Sequence, residues 1–194
     1  MGTPNTRNVA AAKPGVSGGV YRAPLGTALP TDATTALAAG YTALGYISDA
    51  GITPTRDTSV EKIKAWGGDI VAALLADESR SFEFTLLEQF SKDVQEFVHG
   101  AANVTHVAAS GPNGSTTVVS DKGGKPDQQV LVFEMRHGSK KRRVIVPVAD
   151  PVISGEEPWT DNSLSAYTVT VEAIKDTSGV RVYEYLLNDD APGA

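Results

Sequence analysis

RSFEFTLLEQFSKDVQEFVHG, residues 80–100, decides the class of fold. Its first half alternates, with Phe82, Phe84 and Leu86 on one side and Ser81, Glu83 and Thr85 on the other, the period of a half-buried strand. The period then changes. Ser91 stands where a helix N-cap is expected, and Phe90, Val94, Phe97 and Val98 follow at i, i+4, i+7 and i+8, with Gly100 as a stop. This predicts one short helix with a single apolar stripe, and such a stripe must lie against a sheet.

Working outward, period two continues to the end of the chain. Ser115–Ser120, Gln129–Met135, Arg143–Val148, Ser165–Ile174 and Val180–Leu187 read as strands. Gly138-Ser139 and Thr177-Ser178-Gly179 read as hairpin turns between neighbours. Before residue 80, Ile70–Leu75 reads as a buried strand that turns at Asp77-Glu78. Val20–Leu25 and Tyr41–Ile47 are further strands, the first stopped by Pro24 or kept at an edge by it. Residues 48–64, SDAGITPTRDTSVEKIK, are polar and long enough that a loop there is functional or disordered. Residues 1–20 are small and polar and predict a flexible N-terminal arm. The expected architecture is mainly β: a β-sandwich or partial barrel with one flanking α-helix. A single domain spans residues 21–190, with a long loop at 48–64.

Composition narrows the function. The chain has 194 residues, 41% of them hydrophobic, enough for a core. A formal net charge of −6 argues against a nucleic-acid binder. The absence of cysteine removes disulfides and thiolate metal sites. Residues 1–20 carry no apolar core of a secretory signal, and the longest apolar run, Ile70–Ala76, is too short for a membrane-spanning helix.

No catalytic constellation emerges. Gly15-Val16-Ser17-Gly18-Gly19 fits the pattern of a hydrolase nucleophile elbow but lacks the strand before it and the helix after it. His99, His106 and His137 show no metal-ligand spacing. The pairs Asp77/Glu78, Glu156/Glu157 and Asp189/Asp190 are adjacent in sequence, so on strands they point apart. Gly123-Gly124-Lys125 lacks the frame of a phosphate loop. Lys140-Lys141-Arg142-Arg143 reads as a strand edge kept soluble by charge, or as a patch that meets an acidic neighbour. No cofactor, metal or catalytic residue is expected.

Residues 44–100 contain Leu44-Gly45-Tyr46-Ile47-Ser48, an acidic-polar segment, and Ile63-Lys64-Ala65-Trp66-Gly67-Gly68-Asp69. The Phe82–Leu87 strand and the short helix follow, then Asn103-Val104-Thr105. This succession resembles the major tail proteins, or tail tube subunits, of long-tailed (siphovirus) phages, especially those of actinobacterial hosts. The resemblance implies a structural virion protein that is not an enzyme. Copies of it would form hexameric rings stacked into a tube, with a lumen through which DNA passes unbound on its way into the host. It implies assembly in the host cytoplasm, no membrane, and a tape measure protein and a tail terminator as partners. The segment at 48–64 would reach toward an adjacent ring, so inter-subunit contacts are expected of Asp49, Arg56, Asp57, Glu61, Lys62, Lys64 and Trp66. Trp66 reads equally as an anchor or as a core tryptophan. Many relatives add a C-terminal immunoglobulin-like domain, which is not expected here. Two other readings share the pattern: a ring-forming tube protein of a contractile injection or type VI-like system, and a β-sandwich binding or capsid decoration module.

Overall fold

A computed structural model describes residues 4–15, 18–153, 157 and 159–190. In chain order its elements are β1 (Lys13–Pro14), β2 (Val20–Pro24), β3 (Thr42–Ala43), β4 (Ile47–Lys64) and β5 (Ile70–Leu86). Helix α1 (Lys92–His99), β6 (Val104–Val107), β7 (Thr116–Val119), β8 (Gln129–His137), β9 (Lys140–Ile153), β10 (Tyr167–Ile174) and β11 (Tyr183–Leu187) follow. The main sheet has the order β3-β2-β8-β9-β10-β5-β4; β1 also pairs with β8, and β11 with β9. Strands β6 and β7 form a separate ribbon. The described residues are mainly β with one α-helix.

The sheet is strongly curled, and the chain itself requires it. In a flat sheet β3 and β4 would lie six strand spacings apart, about 29 Å at about 4.8 Å each. Only Leu44, Gly45 and Tyr46 join them, a link that spans at most about 14 Å. The two edges therefore meet. At this seam Leu44 N–H donates to the Val20 carbonyl (2.9 Å) and Leu87 N–H to the Tyr46 carbonyl (3.0 Å). Tyr46 N–H donates to the Glu88 carboxylate at 2.8 Å. The first bond ties the link to β2 and the other two tie it to the end of β5, so the link itself spans the seam without a closing ladder, which makes the sheet a partial barrel.

Curling places β5 and β8, three strands apart, face to face: the rings of Phe82 and Phe133 are 5.0 Å apart and those of Phe84 and Phe133 5.8 Å. Helix α1 closes this interior with Val94, Phe97 and Val98, all buried. Arg22 of β2 ties the helix down through Asp93 (3.0 Å) and Glu96 (2.7 Å). The opposite side of β8 and β9 carries Val130, Val132 and Ile145, covered by Leu29, Leu37 and Tyr41 from the segment between β2 and β3. Covering on both faces explains why Val130–Phe133 and Val144–Val146 are continuous apolar runs.

Several expectations are corrected. Residues 48–64 form a strand instead of a loop: their threonines, valine and isoleucines suit an extended backbone, and β5 supplies the ladder. Tyr41–Ile47 is not one strand, because the seam crossing interrupts it after Ala43. Asp77 and Glu78 lie within β5, opposite Ser59 and Thr58. Phe90 is not part of the helical stripe; it precedes the N-cap and is fully exposed at 100%. Ser91 holds the N-cap position without a hydroxyl cap bond, and Gly100 ends the helix at φ 84°. The turn at 177–179 joins no hairpin, because β10 and β11 run in the same direction along one edge of β9. Residues 175–182 are an excursion pinned by Asp176. Its carboxylate accepts the N–H groups of Ser178 and Val180 and the Tyr183 hydroxyl. The Val180 N–H and then the Tyr183 hydroxyl hold that carboxyl below its ordinary range.

Lys140–Arg143 is not an exposed edge either. It opens β9, which pairs with β8 on one side and β11 on the other. Lys140 pairs with Asp189 (3.7 Å) and Arg142 with Glu184 (2.6 Å). Arg143 is buried and holds Glu134 and the carbonyls of Asp32 (2.7 Å) and Thr35 (2.9 Å). The positive charge anchors the covering segment to the sheet.

The seam gives the first prediction. A Cβ on Gly18 (φ +80°) would lie 1.8 Å from the Gly45 carbonyl oxygen, whereas one on Gly51 (φ +72°) meets nothing within 4 Å. Gly51→Ala should cost about 1–2 kcal/mol, the strain of a left-handed alanine. Gly18→Ala adds a backbone clash and should cost clearly more, measured by urea unfolding. Equal losses would show that the seam does not hold the sheet.

Candidate assembly surface

Strands β4 and β5 pair antiparallel from Ile52↔Phe84 to Lys64↔Ile70. At the base, Ile52 packs on the core, and a bulge over Ser48–Gly51 redirects the strand before it. Every residue of β4 from Thr53 to its end is exposed, as is most of β5 up to Asp77; the ladder of β10 on β5 ends at Ser81, so the ribbon leaves the body from Arg56 onward. Eight residue steps from Arg56 to Lys64, at about 3.3 Å each, make an arm about 26 Å long. Pro54 is tolerated because β4 is the edge strand, where a missing N–H breaks no second ladder. The tip is closed by Ala65 N–H to the Asp69 carbonyl (2.8 Å) and Gly68 N–H to the Ala65 carbonyl (3.0 Å). Gly67 and Gly68 take φ 110° and 96°, backbone that a residue with Cβ avoids.

Of the seven residues expected to make inter-subunit contacts, six lie on this arm and Asp49 at its base, and all are exposed. Asp49 is in the basal bulge, Arg56 and Asp57 begin the free ribbon, and Glu61, Lys62 and Lys64 lie near the tip. Trp66 is at the tip itself and fully exposed, which removes the reading of a core tryptophan. Arg56 pairs with Glu78 across the ribbon at 2.5 Å. The other five charged residues of this set have no ion-pair partner among the described residues.

The register sorts the distal side chains into two faces. Val60, Lys62 and Lys64 share one with Leu75, Ala73 and Ile70; Glu61 and Ile63 share the other with Leu74 and Ala72. The run Ile70–Leu75, expected to be buried, is exposed: Ile70, Val71, Leu74 and Leu75 each show more than half of their surface. Their burial needs a surface that this copy of the chain does not supply. Sequence reading missed them because an apolar strand segment looks the same whether its cover comes from its own chain or from a neighbour. The polar segment of matching length just before it was the available signal.

Nothing in the described residues points to chemistry. His99 packs edge-on against Tyr167, His106 bonds Thr117, and His137 accepts the Ala11 N–H. Val16, Ser17 and Glu156 lie outside the described residues, so the elbow-like motif and one carboxylate pair are not seen whole. No group of three or more metal-ligating side chains converges among the described residues. No described helix is long and apolar enough to cross a membrane.

No curated protein sequence matches the chain. The family model described as phage tail tube protein matches residues 3–194. That is nearly the whole chain, and the family is structural rather than enzymatic. A curled sheet with one flanking helix and an unpartnered apolar arm fits a subunit whose surfaces are completed by its neighbours. The chain belongs to the phage tail tube protein family, as a self-associating structural component of the virion tail.

Proposed function

We propose that copies of this chain form hexameric rings that stack into the tail tube of a long-tailed, siphovirus-type phage, and that DNA passes through the lumen into the host. The observation that carries this reading is the arm of β4 and β5. A lone two-stranded ribbon is marginal in water, and an exposed apolar surface on one marks an interface. In the tube, Asp49, Arg56, Asp57, Glu61, Lys62, Lys64 and Trp66 contact neighbouring subunits. Residues ahead of position 21 belong to the same domain, since β1 pairs with β8 and Val20 is buried. A tape measure protein inside the tube, a terminator at its end and assembly in the host cytoplasm complete the scheme.

The lumen wall is the outward face of β5 and β10. Its side chains are Ser81, Glu83, Thr85, Thr168, Thr170 and Glu172, which lie side by side in the ladder. Hydroxyls and carboxylates without lysine or arginine offer phosphates no counter-charge, so DNA slides without being held.

Electron microscopy of concentrated purified protein should show sixfold rings and stacked tubes. A small fixed oligomer at every concentration would contradict the reading. Replacing residues 53–78 by a short Gly-Ser turn should leave the circular-dichroism signature of a folded β protein and abolish tubes. Tubes that survive would show the arm to be a passive excursion, and loss of the fold would place it in the core. Tubes carrying Glu83→Lys and Glu172→Lys should retain DNA at low salt and release it as salt rises, while unmodified tubes retain none. Equal DNA retention by both would mean that this face does not line the lumen.

A further inference from the structure

The strand directions place a second apolar surface at the far end of the body. Ladder positions run from Leu86 and Tyr167 at that end toward Ser81 and Glu172, and so toward the arm. Tyr46, Phe90 and Trp159 gather at the far end, 70%, 100% and 83% exposed. Glu88, Gln89 and Phe90 are consecutive, and hydrogen bonds join this segment to those of Tyr46 and Trp159. Tyr46 N–H donates to Glu88, while Gln89 Nε2 (2.8 Å) and Trp159 Nε1 (3.1 Å) both donate to Glu157 Oε1. Glu88 and Glu157 have no lysine or arginine partner among the described residues. The rim is therefore aromatic and acidic.

The arm at the other end offers the complement. Its face with Val60, Ile70 and Leu75 carries Lys62 and Lys64, and no carboxylate shares that face over these ladder positions. Neither lysine has an acidic partner among the described residues. Cations beside apolar side chains match carboxylates beside exposed rings, through ion pairing and cation–π attraction.

We propose that this aromatic, acidic rim is the seat for the arm of the next copy along the tube, with the Lys62–Lys64 face laid on Phe90 and Trp159 and its ammonium groups against Glu88 and Glu157. The proposal rests on the tube reading above and names the partner surface of the arm. The two surfaces differ and lie at opposite ends, so the contact is heterologous. It cannot close a dimer and propagates in one direction, which gives the tube its polarity.

The chain has no cysteine, so introduced thiols report one contact at a time. Lys64→Cys and Phe90→Cys are made as separate variants, both on exposed side chains, and co-assembled into tubes under reducing conditions before oxidation. A covalent dimer should appear in the mixture and in neither variant alone, and a chain carrying both changes should give a ladder of oligomers. Trp66→Cys with Trp159→Cys serves as a second pair, tolerant of a small shift in register. Normal tubes in which neither pair cross-links, or in which position 64 links only to itself, would overturn the seat and leave the tube reading standing. Failure of the unmodified protein to form tubes at any concentration would remove the tube reading and the seat together.

Discussion

Three residues, Leu44, Gly45 and Tyr46, must carry the chain from one edge of a seven-strand order to the other. This constraint makes the sheet curl, and the curl creates the interior in which Phe82, Phe84 and Phe133 meet. Close backbone approach at the seam depends on glycine, since a Cβ on Gly45 would overlap the Glu88 carboxylate and one on Gly18 the Gly45 carbonyl. The same crossing positions the arm. Once past Tyr46 the chain has only β5 beside it, so β4 becomes an edge strand and leaves the body with its partner. Fold closure and the projecting ribbon are two consequences of one short link.

The other side of the sheet is covered without secondary structure. The segment between β2 and β3 lies across Val130, Val132 and Ile145, and its carbonyls at Asp32 and Thr35 are gripped by Arg143. Hydrogen bonds from a charged donor contribute more than neutral ones, about 1.5–3 kcal/mol each before the cost of burying the guanidinium. Glu134 offsets that cost by lying against the same group. The Asp32 carboxylate accepts the Thr35 hydroxyl and the N–H groups of Thr35 and Thr34, which holds its carboxyl well below the ordinary range and fixes the turn. A buried arginine thus does for an irregular cover what an apolar stripe does for helix α1.

The parts of the fold legible in the sequence were those whose burial is supplied locally. Phe82, Phe84 and Leu86 alternate because one face of β5 meets the core, and Val94, Phe97 and Val98 repeat because one stripe of α1 does. Residues 48–64 lack the usual signal of a strand, one buried face, because from Thr53 onward neither face is buried by this chain. Arg143 was hidden in a basic run because Lys140, Lys141 and Arg142 look alike in sequence, while only the fourth position lies under the covering segment. The rim of Tyr46, Phe90 and Trp159 comes from three distant segments, and no local pattern joins them. The excursion at 175–182 looked like a hairpin because its turn chemistry is that of one; only the ladder of β9 shows that the strand resumes in the same direction.

An arm with exposed valine, isoleucine, leucine and tryptophan invites indiscriminate aggregation, and its design limits that risk. Charges are interleaved along β4 at Arg56, Asp57, Glu61, Lys62 and Lys64, and like charges on approaching copies oppose random strand pairing. The ladder is irregular after Ile47, between Ser59 and Val60 and between Ile63 and Lys64, so no long flat edge is presented. Pro54 removes one donor from the free edge. What remains attractive is a surface that is apolar and charged in a fixed pattern, satisfied only by a partner with the matching pattern. In the proposed tube a growing end presents several such seats at once, and contacts that reinforce one another favour docking there over random pairing.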